Sequence, residues 1–157
     1  MTTYFAIADL HGRYDLLLAA EKAAQEYVEN KGLKHSDCKF ITLGDYIDRG
    51  KQSRQIIEAL MNEGNEDVIS PQGNHEDMAV QTLTGAISGQ EWWVGNGGGA
   101  TLESYGAKPV LGMHYDRTYP LSVVPEEHVK WMASLPLYYE TERQVFVHAG
   151  IPDEGEL

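Results

Sequence analysis

Short apolar runs alternate with amphipathic stretches through the first half of the chain. Tyr4-Phe5-Ala6-Ile7-Ala8 is almost continuously apolar and bounded by polar residues, the pattern of a strand buried on both faces. From Tyr14 to about Asn30, Leu16, Leu17, Ala20, Ala24, Tyr27 and Val28 recur at helical spacing, and Gly32 is placed to close that helix in a left-handed conformation. Phe40 to Leu43 predicts a second strand. Ser53 predicts an N-cap for a helix with Ile56, Ile57, Leu60 and Met61 on one face, ending near Gly64, and Val68-Ile69 is the heart of a third strand. Strand, helix, strand, helix, strand is the order of right-handed βαβ units, so the expected class is α/β with a largely parallel sheet covered by helices.

The second half is less periodic. A helix is expected from about His75 through Met78 and Leu83, followed by a loose stretch from Gly85 to Gly89. Asn96-Gly97-Gly98-Gly99 reads as a flexible connection or helix entry before a short helix through Leu102 and Tyr105. Lys108 to Leu121 reads as an irregular surface loop. Pro125 to Leu135 reads as a helix with the proline in its first turn, and Leu137 to Glu140 with Arg143 to Val147 as a hairpin turning at Thr141-Glu142. No repeat or linker interrupts residues 1–157, which suit a single domain.

Composition narrows the function. The 24 acidic residues outnumber the 12 basic ones, giving a formal charge of −12 and no Lys/Arg cluster to neutralise a nucleic-acid backbone. A phosphorylated substrate would suit so acidic a chain only where bound cations invert the local charge. The one cysteine, Cys38, can form no intrachain disulfide. With no secretory leader and no run near the roughly 18 apolar residues of a membrane span, the expected location is the cytoplasm. Oligomerisation is neither required nor indicated.

Four short motifs carry chemistry, each at the end of an expected strand: Asp9-Leu10-His11-Gly12, Gly44-Asp45-Tyr46-Ile47-Asp48-Arg49-Gly50, Gly73-Asn74-His75-Glu76 and His148-Ala149-Gly150. Open α/β sheets carry functional loops at the carboxyl ends of their strands, so segments far apart in sequence would meet on one rim. Carboxylate, imidazole and amide donors without thiolate suit hard or borderline divalent ions, Mn, Fe or Zn rather than Ca. Two such ions roughly 3.5–4 Å apart can clamp a phosphoryl group and lower the pKa of a bridging water, and Asp45, after the middle strand, is the natural bridge. Alone, each motif has an ordinary structural role open to it: Asp9 as a helix cap, His148 as a core histidine, Asp48-Arg49 as a solvated ion pair. Four glycine-flanked clusters in succession are hard to obtain that way.

The combination D-x-H-G, G-D-x-x-D-R-G, G-N-H-E and H-A-G resembles the PPP family of calcineurin-like metallophosphoesterases, which contains the protein serine/threonine phosphatases. Trp93-Val94-Gly95-Asn96-Gly97-Gly98 is similar to the phage and bacterial branch typified by bacteriophage lambda phosphatase. The resemblance covers about Tyr4 to Ile151 and implies a four-layer fold, two central mixed β-sheets flanked by helices. It implies two divalent ions, Mn foremost, with Asp9, His11 and Asp45 holding one and Asp45, Asn74 and His148 the other. It further implies His75 as general acid, Asp48 as its hydrogen-bonded partner and Arg49 as a phosphate contact, with a metal-bridging hydroxide attacking phosphorus. Those residue types suit the roles: histidine titrates near neutral pH, and a guanidinium forks onto phosphate oxygens. Ala8 stands where the family usually has glycine. His35, His114 and His128 match no motif and are expected to be structural, and packing accounts for Tyr14 and Tyr46 as well as a substrate mouth would.

The family continues past His-Ala-Gly with a further histidine ligand, usually in a Gly-His motif, and a second phosphate-holding arginine. This sequence has no histidine after His148 and no arginine after Arg143. The resemblance therefore implies a C-terminally truncated domain with an incomplete second sheet, a weakened second metal site and low activity. Truncation is the expected explanation; a symmetry mate that supplies the absent elements and an altered second metal site are the alternatives. The expected function is a phosphomonoesterase acting on phosphoserine or phosphothreonine proteins, with phosphotyrosine and small phosphoesters also accepted. The alternatives are a bis(5'-nucleosyl)-tetraphosphatase of the same family and a noncatalytic metal-binding remnant.

Overall fold

In the computed structural model, which describes residues 2–62, 68–111 and 117–151, strands β1 (Thr3–Ile7), β2 (Cys38–Thr42) and β3 (Val68–Ile69) form a parallel sheet in that order. Phe5 lies opposite Phe40 and Ile7 opposite Thr42, while Ile41 lies opposite Ile69. This register brings the Asp9, Asp45 and Asn74 loops off the sheet at one rim. Helices α1 (Tyr14–Lys31) and α2 (Ser53–Asn62) make the two crossovers, and Gly32 closes α1 in the left-handed conformation expected of it. The end expected for α2 near Gly64 lies outside the described residues.

Helix α3 (Asn74–Leu83) follows β3 directly. A short α4 (Glu91–Trp93), a π turn over Val94–Gly98 and α5 (Gly99–Ser104) come next. The loop expected over Lys108 to Leu121 contains a small antiparallel pair, β4 (Val110–Leu111) with β5 (Arg117–Thr118). Helix α6 (Glu126–Ser134) starts one residue after Pro125, and β6 (Tyr138–Glu140) pairs with β7 (Val145–Val147) as the expected hairpin. The α/β class and the layering of small sheets with helices are thus as expected. No helix among the described residues is long and apolar enough to cross a membrane.

The core joins Ile47, Ile56, Ile57 and Leu60 to Met78, Ala79, Trp93, Leu102 and Met132, where α3 packs on α6 and α2 on α5. Two expectations of burial need correction. β1 is only half-buried and Ala6 is exposed, because β1 is an edge strand of a three-stranded sheet. On α1 only Leu17 and Val28 are buried, while Leu16 and Tyr27 are exposed, because a helix over a sheet edge has only a narrow apolar strip to cover. Tyr4 on β1 stacks against Tyr139 and Phe146, with centroids 6.4 and 5.2 Å away, and so fastens the β6–β7 hairpin to the sheet. That contact delivers His148, the residue after β7, to the same rim.

Candidate metal centre

Three loops reach this rim by backbone-to-backbone contact, and glycine is what allows it. A Cβ on Gly50 would strike the His11 carbonyl, and one on Gly73 would strike the Asp45 amide and carboxylate. Between the loops, His11 N–H donates to Asp45 C=O at 2.8 Å, Gly12 N–H to Tyr46 C=O at 2.8 Å and Gly50 N–H to His11 C=O at 3.0 Å. Among the described residues, five other than glycine have positive φ: Asp9 at 54°, His11 at 41°, Asp45 at 55°, Asp48 at 72° and Arg49 at 66°. The left-handed region is costly for residues with a Cβ, and such strain collects where a side chain is needed for function. All five belong to the motifs that carry chemistry in the sequence.

The imidazoles share one arrangement. His11 Nδ1 bonds to the Ile47 carbonyl at 3.1 Å, His148 Nδ1 to the Leu43 carbonyl at 2.6 Å and His75 Nδ1 to the Asp48 carboxylate at 2.6 Å. Each Nδ1 must carry its proton to make that bond, so Nε2 is the atom each ring turns inward. Asp45 lies between them: its Oδ1 is 3.3 Å from His148 Nε2, and its Oδ2 is 3.5 Å from His11 Nε2 and 3.9 Å from His75 Nε2. Asn74 Oδ1 is 3.1 Å from His148 Nε2. Lone pairs of imidazole, carboxylate and amide converge here, and a cation is what such a set accommodates. Two groups bring ligand atoms within 4.8 Å of one another, His11 with Asp45 and His75, and Asp9 with Asp45 and His148. Asp45 belongs to both, so the donors describe a dinuclear site sharing one carboxylate. Asp9 clusters with His148, whereas the resemblance pairs it with His11, and His75, which the resemblance makes the general acid, falls within the first group.

The layer behind the ligands is built as closely. Asp48 is fully buried, and its hydrogen bond raises the pKa of His75 while burial opposes the rise. Arg49 is exposed at the mouth, with Nη1 2.7 Å from His11 Nε2 and Nη2 3.2 Å from His75 Nε2. Glu76 belongs to the third motif, yet its residue type alone points to no role in it. Fully buried, it accepts Asp45 and Gly73 N–H on Oε2, each at 2.9 Å, and Tyr46 and Ile47 N–H on Oε1 at 2.8 and 3.3 Å. Burial first, then the Asp45 charge, pushes its pKa up to about 7 against the pull of those backbone donors. Its position, third in a helix that begins at a glycine turn, is a capping signal readable in the sequence. Trp93, which opens the Trp93–Gly98 run, and Thr101 also bond Asp48, a contact that neither residue signals in the sequence.

The other residues settle into packing. Tyr46 is fully buried, with its hydroxyl 2.6 Å from the Thr42 carbonyl, and burial pushes its pKa up. Tyr14 packs against the core. His128 is buried with Nδ1 2.7 Å from the Tyr105 hydroxyl, His35 is exposed at the start of a short 3-10 turn, and His114 lies outside the described residues. Ser53 is the first residue of α2 rather than a cap. Its hydroxyl accepts Asp48 N–H at 3.2 Å instead of a donor of its own helix.

Residues 2–156 match the model of the calcineurin-like phosphoesterase family. Among solved structures, the chain is similar to a putative diadenosine tetraphosphatase at 12% identity, covering 88% of this chain and 49% of that one with a TM-score of 0.45. It is also similar to a metallophosphoesterase from Sphaerobacter thermophilus at 19% identity, covering 90% of this chain and 44% of that one with a TM-score of 0.47. The chain thus spans about half the length of these structures.

Proposed function

The chain belongs to the calcineurin-like phosphoesterase family, and from that premise we propose that it forms one domain that hydrolyses phosphoesters at a dinuclear metal centre. The observation that carries the reading is the placement of Asp45, whose two carboxylate oxygens face imidazole Nε2 atoms of different loops. Asp9, His11, Asp45, Asn74 and His148 would hold the ions, and the absence of thiolate favours Mn, with Fe or Zn as alternatives. Bound there, the ions supply Lewis acidity and activate water as nucleophile.

The remaining residues handle charge and proton. Arg49, exposed at the rim, offers two N–H groups on one planar fork to phosphate oxygens. His75 holds a proton at Nε2 for the departing alkoxide, and Asp48 keeps the ring aligned through Nδ1. Two substrate classes fit this machinery. The Trp93–Gly98 pattern supports a phosphoserine or phosphothreonine protein, as in the phage and bacterial branch. A second reading, a dinucleoside polyphosphate, is favoured by a cavity of about 370 Å³ beside the centre, which Arg49 and Lys51 line together with Glu103 and where a second phosphate would meet a second cation.

The test is turnover by Mn-loaded protein of p-nitrophenyl phosphate, a phosphoserine peptide and diadenosine tetraphosphate. Hydrolysis of any of them that is lost with His75→Asn supports the enzyme, and Lys51→Ala lowering turnover of the dinucleotide alone supports the second reading. No metal-dependent turnover of any of the three would sink the proposal.

A further inference from the structure

We propose that Trp93 and Thr101 are positioning residues for the His75–Asp48 pair, an inference that rests on the reading of His75 as proton donor. Asp48 is 0% exposed, and an anion so buried must be surrounded by donors. Its Oδ2 receives His75 Nδ1–H at 2.6 Å and Trp93 Nε1–H at 2.9 Å. Its Oδ1 receives the Thr101 hydroxyl at 2.6 Å, with Trp93 Nε1 at 3.1 Å. The indole N–H thus spans both oxygens while the threonine fixes the one that His75 does not use. Rotation of the carboxylate would break these bonds, so the plane facing His75 is set from a segment 45 and 53 residues further along the chain.

The same segment holds the backbone around Asp48. Asp48 N–H donates to Thr101 Oγ1 at 2.8 Å, and Arg49 N–H donates to the Gly97 carbonyl at 3.1 Å. Both Asp48 and Arg49 sit at positive φ, where an unheld loop would relax. The glycines are consistent with this task. A Cβ on Gly98 would collide with the Trp93 indole, and Gly97, at φ 111°, lies against Arg49. The run Asn96-Gly97-Gly98-Gly99 is thus the expected helix entry, with α5 starting at Gly99, rather than a flexible connection. It is a tight turn that seats Trp93 under Asp48 and carries the chain on to Thr101.

The test compares Thr101→Val, nearly isosteric but without the hydroxyl, with Thr101→Ser and Trp93→Phe. A phosphoserine peptide, whose alkoxide needs a proton, and 2,4-dinitrophenyl phosphate, whose leaving group does not, are the substrates for Mn-loaded protein. Thr101→Val and Trp93→Phe are each expected to lower kcat on the peptide about tenfold more than on the aryl ester. Thr101→Ser should restore the peptide rate, and Thr101→Val should add nothing in a His75→Asn background. Equal losses on the two esters, or losses that add to that of His75→Asn, overturn the inference. A readout independent of turnover is the His75 Nδ1 proton in the NMR spectrum of the metal-free protein. It should be visible in wild type and Thr101→Ser and lost to solvent exchange in Thr101→Val; an identical signal in all three also overturns the inference. If wild type hydrolyses neither these esters nor diadenosine tetraphosphate, the functional reading fails; the proton signal, read also in Trp93→Phe and expected to be lost there, then decides the roles of Thr101 and Trp93.

Discussion

Replacing Glu76 by glutamine tests whether the metal rim is organised by one buried carboxylate. The side chain accepts four backbone N–H groups, two on each oxygen, and they belong to both the Asp45 loop and the Gly73 turn. Glutamine keeps one acceptor oxygen and turns an NH2 group toward the other pair. The oxygen should stay with Asp45 and Gly73, whose bonds are both 2.9 Å, leaving Tyr46 and Ile47 N–H buried without an acceptor. Each unsatisfied buried donor costs about 1–3 kcal/mol, and the Ile47 bond at 3.3 Å belongs at the low end. Loss of the charge offsets part of this cost, because burial and the Asp45 carboxylate disfavour the ionised form here, as its raised pKa shows. A net loss of about 1–2 kcal/mol corresponds to a fall in Tm of about 2–8 °C for a chain of this size. Thermal unfolding of the metal-free protein should be followed by circular dichroism at pH 8, above the value of about 7 to which burial raises this carboxyl. Asp77→Asn is the comparison, because Asp77 is exposed in the same helical turn and its carboxylate accepts from the exposed Gln81 amide at 2.6 Å. If Glu76→Gln unfolds within about 0.5 kcal/mol of Asp77→Asn, the proposed organising role is refuted.

Arg49→Gly should be more stable than Arg49→Ala by roughly 0.5–1 kcal/mol, because glycine relieves the positive φ at the expense of a more disordered unfolded state; urea unfolding of the two variants reads the difference, and equal stabilities would remove the strain argument. Tyr46→Phe should lose about 1–3 kcal/mol in the same assay, since it strands the buried Gly44 N–H that the phenol oxygen accepts at 3.1 Å. Addition of Mn to about 100 times its dissociation constant should stabilise the fold by about 2.7 kcal/mol, and Asp45→Asn should abolish that gain. A Tm unmoved by Mn, Fe and Zn alike would refute a metal centre at Asp45.

The first half of the fold was legible because each element carried its own signal. The apolar runs at Phe40 and Val68, the periodicity of α2 and the left-handed glycine at Gly32 all act locally, and all are found where the sequence places them. Burial of β1 was not legible, since whether a strand is central or at an edge depends on what pairs with it. The short β4–β5 pair was missed because two residues per strand give no period to read. The site followed the same division. Metal-ligand residue types beside glycines announced themselves, and the structure brings Asp9, His11, Asp45, Asn74 and His148 to one rim. The bonds of Trp93 and Thr101 to Asp48 did not, because Trp93 stood out only as part of a resembling run and Thr101 looks like packing until the carboxylate they bond is known.

Why this rim holds its shape follows from where its costs and supports lie. Five side-chain-bearing residues at positive φ cost of order 1–3 kcal/mol each, and converging lone pairs at Asp45 and His148 add repulsion. Apolar burial of Leu10, Tyr46 and Ile47 anchors the loops in the core, while Asp9, Arg49 and Asn74 stay exposed. Further support is in backbone hydrogen bonds that bypass the ligand atoms: His11 and Gly12 to the Asp45 loop, Gly50 back to His11, and the four donors collected by Glu76. These bonds engage main chain, while the ligand atoms themselves are lightly held: Asp45 Oδ1 accepts His75 N–H at 3.1 Å and Arg49 Nη1 lies 2.7 Å from His11 Nε2. The loops can therefore be ordered before any ion arrives, and an ion would then relieve the repulsion instead of building the site. On that logic, a change at Glu76 should weaken metal binding as much through lost order in the Asp45 loop as a change in the ligands does through lost donors.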